Sequence, residues 1–107
     1  MFNLNFNWLY NVISHNSNVI SHNSNLEEYT IEEVQKHNNS ESAWIIIHNY
    51  VYDITQWGYD HPGGSDKIFE KTGCDVSKAF DIYHRHTAKR TINKILDGLR
   101  IGKIKSE

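Results

Sequence analysis

Two of the seven histidines in this 107-residue chain stand where imidazoles make a usable metal-ligand pair. His61 precedes Pro62, Gly63 and Gly64, and His84 follows 23 residues later, across short helical pieces. Imidazole nitrogen suits iron, zinc and copper alike. Pro62 fixes its own φ while Gly63 and Gly64 admit backbone shapes that other residues resist. The turn therefore presents His61 rigidly and lets a flat ligand approach the main chain. Taken singly, a histidine beside a turn is more often structural than ligating. His86 is a second candidate beside His84, but a zinc or copper site built on that pair lacks a convincing third ligand.

No nucleophile is paired with a base, and there is no paired-carboxylate site, phosphate-cradling glycine loop or flavin site. An enzyme is not expected from such a chain.

A composition 38% hydrophobic and 22% charged is that of an ordinary globular domain. A formal charge of -2 argues against a polyanion-binding protein, so nucleic acid is not an expected partner. Cys74 is the single cysteine, which rules out an intramolecular disulfide and fits a reducing compartment. No apolar run reaches the roughly 18 residues that span a bilayer. A cytoplasmic monomer without a transmembrane anchor is the expectation.

Asn11–Ser17 is repeated at once in Asn18–Ser24, a tandem heptapeptide too short and too rich in Asn and Ser for a coiled coil. Residues 1–25 read as an N-terminal extension and polar linker, and 26–107 as the folded domain. Phe2, Phe6, Leu9, Tyr10 and Ile13 recur at helical spacing with Trp8 beside them. A peripheral membrane contact through residues 1–13 is one expectation for the extension, and packing on the domain is the other.

Thr30 with Glu33 makes a capping box that opens a helix over Ile31–Lys36. Ala43–His48 and Tyr50–Ile54 read as strands joined at Asn49, which tolerates the left-handed conformation of a tight turn. Turn chemistry and short helices run from Trp57 to Gly73. Asp75 is placed to cap a helix holding Val76, Ala79 and Phe80. Thr87 is placed to start a helix carrying Ile92, Ile95 and Leu96, which Gly98 would stop before an alternating strand over Leu99–Ile104. The fold class is α+β.

From Tyr29 to Ile104 the chain resembles the cytochrome b5 family. The matching strings are Tyr29–Val34 with Lys36-His37-Asn38, Ala43–His48, Val51–Thr55, His61-Pro62-Gly63-Gly64 and Arg100-Ile101-Gly102. The resemblance implies a small mixed sheet with short helix pairs forming a haem pocket, and a non-covalent haem b with His61 and His84 as axial ligands. Family members with the string Phe-Asp-x-x-His place the ligand four residues after the phenylalanine, which favours His84 over His86. The implied pocket consists of Trp57, Pro62, Gly63, Gly64, Ile68, Phe69, Phe80, Ile92 and Ile95. His37 and His48 match histidines that the family uses structurally.

A bis-histidine iron has no open position for oxygen or substrate, so the implied function is one-electron transfer between redox partner proteins, a reductase and an acceptor. The rival is a module of the same fold that carries haem or a lipid-like ligand. Well-known members ring the haem edge with carboxylates that steer basic partners. Here five acids between Gly58 and Arg90 meet six bases, which implies slow, weakly salt-dependent transfer to cytochrome c.

Overall fold

The computed structural model describes residues 26–60 and 70–106. The duplicated heptapeptide, the apolar extension and the segment 61–69 lie outside the described residues.

Strand β1 (Glu27–Tyr29) leads into helix α1 (Ile31–Gln35), followed by β2 (Asn38–Asn39), β3 (Ser42–Ile47) and β4 (Tyr50–Asp53). Helices α2 (Thr55–Asp60), α3 (Ser77–Tyr83) and α4 (Lys89–Leu99) come next, and β5 (Arg100–Ile104) closes the domain. The sheet order is β1-β5-β4-β3-β2, with β1 parallel to β5 and the other pairs antiparallel. This is the mixed α+β sheet that the sequence implies.

The run Ala43–Ile47 is apolar throughout because β3 is covered on both faces. Alternation along a strand sends Ala43, Ile45 and Ile47 to one side, where they cluster with Tyr52, Ile54 and Leu99. Ile46 turns to the other side and clusters with Val34 of α1 and Val51. Tyr29, Trp44, Ile101 and Ile104 pack against that second cluster. Trp44 also stacks on His37 at 3.6 Å between ring centroids, and His37 is fixed by Ser42 Oγ, 2.6 Å from its Nδ1.

The hairpin is a two-residue turn pairing Ile47 with Tyr50, and both turn residues are left-handed, His48 at φ 49° and Asn49 at φ 71°. That pair of positive φ values gives a turn whose twist matches the flanking strands. The capping box is present in full: Glu33 N–H donates to Thr30 Oγ1 and Thr30 N–H donates to Glu33 Oε2.

Several local expectations are corrected. The last helix starts at Lys89 with Ala88 as its N-cap, because the Thr87 N–H closes a turn onto the His84 carbonyl. Gly98 does not stop it. The helix continues through Gly98 to Leu99, and an extended Arg100 (φ -66°, ψ 129°) passes straight into β5, so no left-handed residue is needed there. Asn38 and Asn39, for which no strand is expected from the sequence, form β2 against Ser42 and Ala43.

Candidate functional site

The helix that carries the second candidate ligand is anchored at its base. Residues 73–76 run along β3: Gly73 N–H donates to the Trp44 carbonyl, Ile46 N–H to the Cys74 carbonyl, and Val76 N–H to the Ile46 carbonyl. Gly73 takes φ +79° there, and a Cβ on it would lie 2.8 Å from that of Asn38. The expected Asp75 cap is corrected: the helix starts at Ser77 with Val76 as an N-cap that makes no side-chain bond, and Asp75, one residue earlier, closes a local turn, its Oδ1 accepting from both the N–H and the Oγ of Ser77. Further along, His48 of the hairpin turn holds α3 twice. Its backbone N–H donates to Ser77 Oγ, and its Nε2 lies 2.9 Å from Asp81 Oδ1.

His84 ends α3, its backbone N–H donating to the Phe80 carbonyl at 3.0 Å. The imidazole Nδ1 lies 2.9 Å from the same oxygen. A carbonyl only accepts, so Nδ1 carries the proton, and in the neutral ring the lone pair is on Nε2. The Phe80 ring lies 4.5 Å from the imidazole, tilted by 33°, which fixes the plane of the ligand candidate. His86 is exposed in the turn that follows.

Phe80, in contact with the imidazole, is part of a larger apolar group. Trp57, Phe80 and Ile95 pack on the cluster of Ala43, Ile45, Ile47, Tyr52, Ile54 and Leu99, and Ile92 is half-buried one turn before Ile95. Three residues proposed from the sequence as pocket walls therefore meet on one cluster. His61, Pro62, Gly63, Gly64, Ile68 and Phe69 lie outside the described residues. Sequence reasoning left out Val76 and Leu96, which pack on the same cluster. Leu96 carried a signal, since it falls four residues after Ile92 on the apolar stripe of α4.

Where β5 begins, the Arg100 guanidinium lies 4.8 Å from the ring centre of Tyr50 and 5.6 Å from that of Tyr52, and bonds Asp97 at 3.0 Å. Burial opposes its charge, but the Tyr52 hydroxyl and Asp97 outweigh that and raise its pKa. No helix among the described residues is long and apolar enough to cross a membrane.

Residues 30–105 match the family described as Cytochrome b5-like Heme/Steroid binding domain. The chain belongs to the cytochrome b5-like family. Over 76 residues, 71% of this chain, it is 49% identical to a nitrate reductase (NADH) of Cucurbita maxima and 46% identical to one of Petunia hybrida. Those 76 residues are 8% of each relative's length. The solved cytochrome b5 of Ostreococcus tauri virus 2 superposes with a TM-score of 0.63 at 33% identity, covering 72% of this chain and 95% of that one. Cytochrome b558 of Ectothiorhodospira vacuolata, a prokaryotic homologue of cytochrome b5, gives 0.66 at 25% identity, covering 74% and 99%. The cytochrome b5-like domain is a haem-binding, electron-transport module, and the mixed five-stranded sheet with its helices matches these cytochrome structures.

Proposed function

We propose that this chain is a b-type haem electron-transfer protein whose iron is held between His61 and His84, and which passes single electrons between a reductase and an acceptor. One observation carries the reading. The Phe80 carbonyl fixes the tautomer and orientation of His84, as the outer-shell partner of a metal-ligating histidine does.

The described residues fit the group. His84 offers Nε2 as its basic nitrogen, with Phe80 and its apolar group beside the ring, which suits one face of a flat macrocycle. When bound, haem supplies a one-electron iron couple, and two imidazole ligands leave no open position on it for oxygen or substrate. The chain's part is to hold and exclude. The strand-like segment 73–76 and the His48–Asp81 pair keep α3 on the hairpin, so that His84 keeps its place. Trp57, Phe80, Ile92 and Ile95, with Ile68 and Phe69, keep water from the ligand. We assign the folded unit to residues 26–107, with residues 1–25 dispensable for haem binding and in contact with a membrane surface through residues 1–13. Flotation of full-length and truncated protein with liposomes tests that contact, and equal behaviour of the two removes it.

Stopped-flow mixing of the dithionite-reduced protein with ferric cytochrome c tests the electron-transfer reading. One electron delivered per protein is expected. A protein that binds haem but delivers no electron, or that takes up a sterol in place of haem, would favour the rival carrier function.

A further inference from the structure

We propose that the face formed by α3, the turn 84–86 and α4 is the docking surface for an acidic redox protein, one that presents clustered carboxylates around its own redox centre. This rests on the electron-transfer reading above, and it names the kind of partner.

Charge is segregated in the folded chain in a way that the linear count hides. Glu27, Glu28, Glu32, Glu33 and Glu41 are all exposed around β1, α1 and the β2–β3 turn, where they outnumber the bases Lys36, Lys103 opposite Glu28 on β5, and Lys105 beside Tyr29. From Ser77 to Leu99 the sign reverses: Lys78, Arg85, Lys89, Arg90 and Lys94 are all exposed, against the carboxylates of Asp81 and Asp97. Asp97 is ion-paired with Arg100, and Asp81 is hydrogen-bonded to His48. The five cations make no ion pair with a described residue. In sequence, Asp66 and Lys67 of the intervening segment cancel.

The arrangement is costly to the fold, which argues that it serves something else. Arg90 and Lys94 stand four residues apart on one helix, where like charges repel. Lys89 and Arg90 occupy the first turn of α4, which has no acid, so they add to the positive end of the helix dipole.

The same stretch also exposes an apolar anchor. Tyr83 is 80% exposed and Ile82 47%, and Tyr83 directly precedes His84. An exposed aromatic with a charged rim is the usual composition of a transient interface, the ring giving contact area and the rim steering encounter. Arg90 follows His84 by six positions in the chain, so their Cα atoms lie within about 22 Å of each other. A partner seated here sits over the ligand end of α3. Cytochrome c, itself basic, would be repelled from this face.

The test uses the haem-loaded full chain. Reduced acidic [2Fe–2S] ferredoxin is the donor: its cluster loses one electron and the ferric iron of this protein gains it. Raising the ionic strength from about 20 mM to 300 mM should slow this transfer roughly tenfold, while transfer to cytochrome c stays constant or accelerates. Arg90→Glu with Lys94→Glu should slow the ferredoxin reaction roughly tenfold at low salt with the visible spectrum unchanged. Glu27→Lys with Glu32→Lys should leave it within about twofold. Arg85→Glu alone provides the same test should the double variant fail to fold. Calorimetric titration with ferredoxin reads docking without electron transfer. Salt-sensitive docking without transfer would therefore count against the redox reading and leave the surface assignment standing. A ferredoxin rate indifferent to salt and to these variants would overturn the proposal. So would binding to phosphatidylserine-containing vesicles in the absence of any binding to ferredoxin.

Discussion

The Phe80 carbonyl accepts two hydrogen bonds from the same residue, from the backbone N–H and from the imidazole Nδ1 of His84, one helical turn further on. The Phe80 side chain meanwhile packs on the core and against the imidazole ring. One residue thus joins the ligand candidate to the sheet. Phe80→Ala should cost about 2 kcal/mol, less than for a fully buried phenylalanine because this ring is half-buried. It should also speed haem loss, measured by transfer to excess apomyoglobin. An unchanged transfer rate would show that the ring does not hold His84.

The hairpin turn places two non-glycine residues at positive φ. Asn49→Val should destabilise by about 1–2 kcal/mol, since a β-branched side chain resists that conformation, whereas Asn49→Gly should be close to neutral. Urea unfolding of both variants reads the difference. His48→Ala should cost less than about 1 kcal/mol, because its pair with Asp81 is exposed.

Gly102 pairs with Glu27 on one side and Val51 on the other, and a Cβ there would lie 2.5 Å from the Glu27 carbonyl oxygen and 2.6 Å from the Tyr29 ring. Gly102→Ala should therefore cost about 1–3 kcal/mol by overpacking. Hydrogen exchange should show β1 losing protection first, and uniform loss would mean that β1 is no separate weak point.

Tyr29 titrates above its ordinary pKa, because burial disfavours the phenolate and Glu27 and Glu33 repel it. The folded value lies above the unfolded one. The associated stability is therefore complete below the unfolded value near 10 and is lost as pH rises through the folded value. Tyr29→Phe should weaken this alkaline loss, so that urea midpoints from about pH 9 to 11 fall less than those of the wild type. Parallel declines would contradict it.

Much of the fold was legible where local chemistry decides it. The Thr30–Glu33 box, the β3–β4 hairpin and the mixed α+β class follow from cap, turn and periodicity rules. What escaped depended on tertiary pairing. Glu27–Tyr29 has too little local pattern to read as a strand and becomes one only against β5, and Asn38–Asn39 becomes one against Ser42 and Ala43. Gly98 stayed helical because β5 starts without a left-handed cap. Within the site, Trp57, Phe80 and Ile95 were legible only through the resemblance to the family, whose pocket walls their positions match. The contact of residues 73–76 with β3, which sets the direction of α3, had no sequence signal. Neither did the segregation of charge, since a count along the chain cannot show that Asp97 is ion-paired and Asp81 hydrogen-bonded.

Visible spectra of the purified protein, oxidised and dithionite-reduced, compared with those of His61→Ala, His84→Ala and His86→Ala, test the central claim most directly. The account predicts a red wild type with six-coordinate low-spin bands, loss of those bands in the His61 and His84 variants, and an unchanged spectrum for the His86 variant. A six-coordinate spectrum that survives in His84→Ala and is lost in His86→Ala would contradict it.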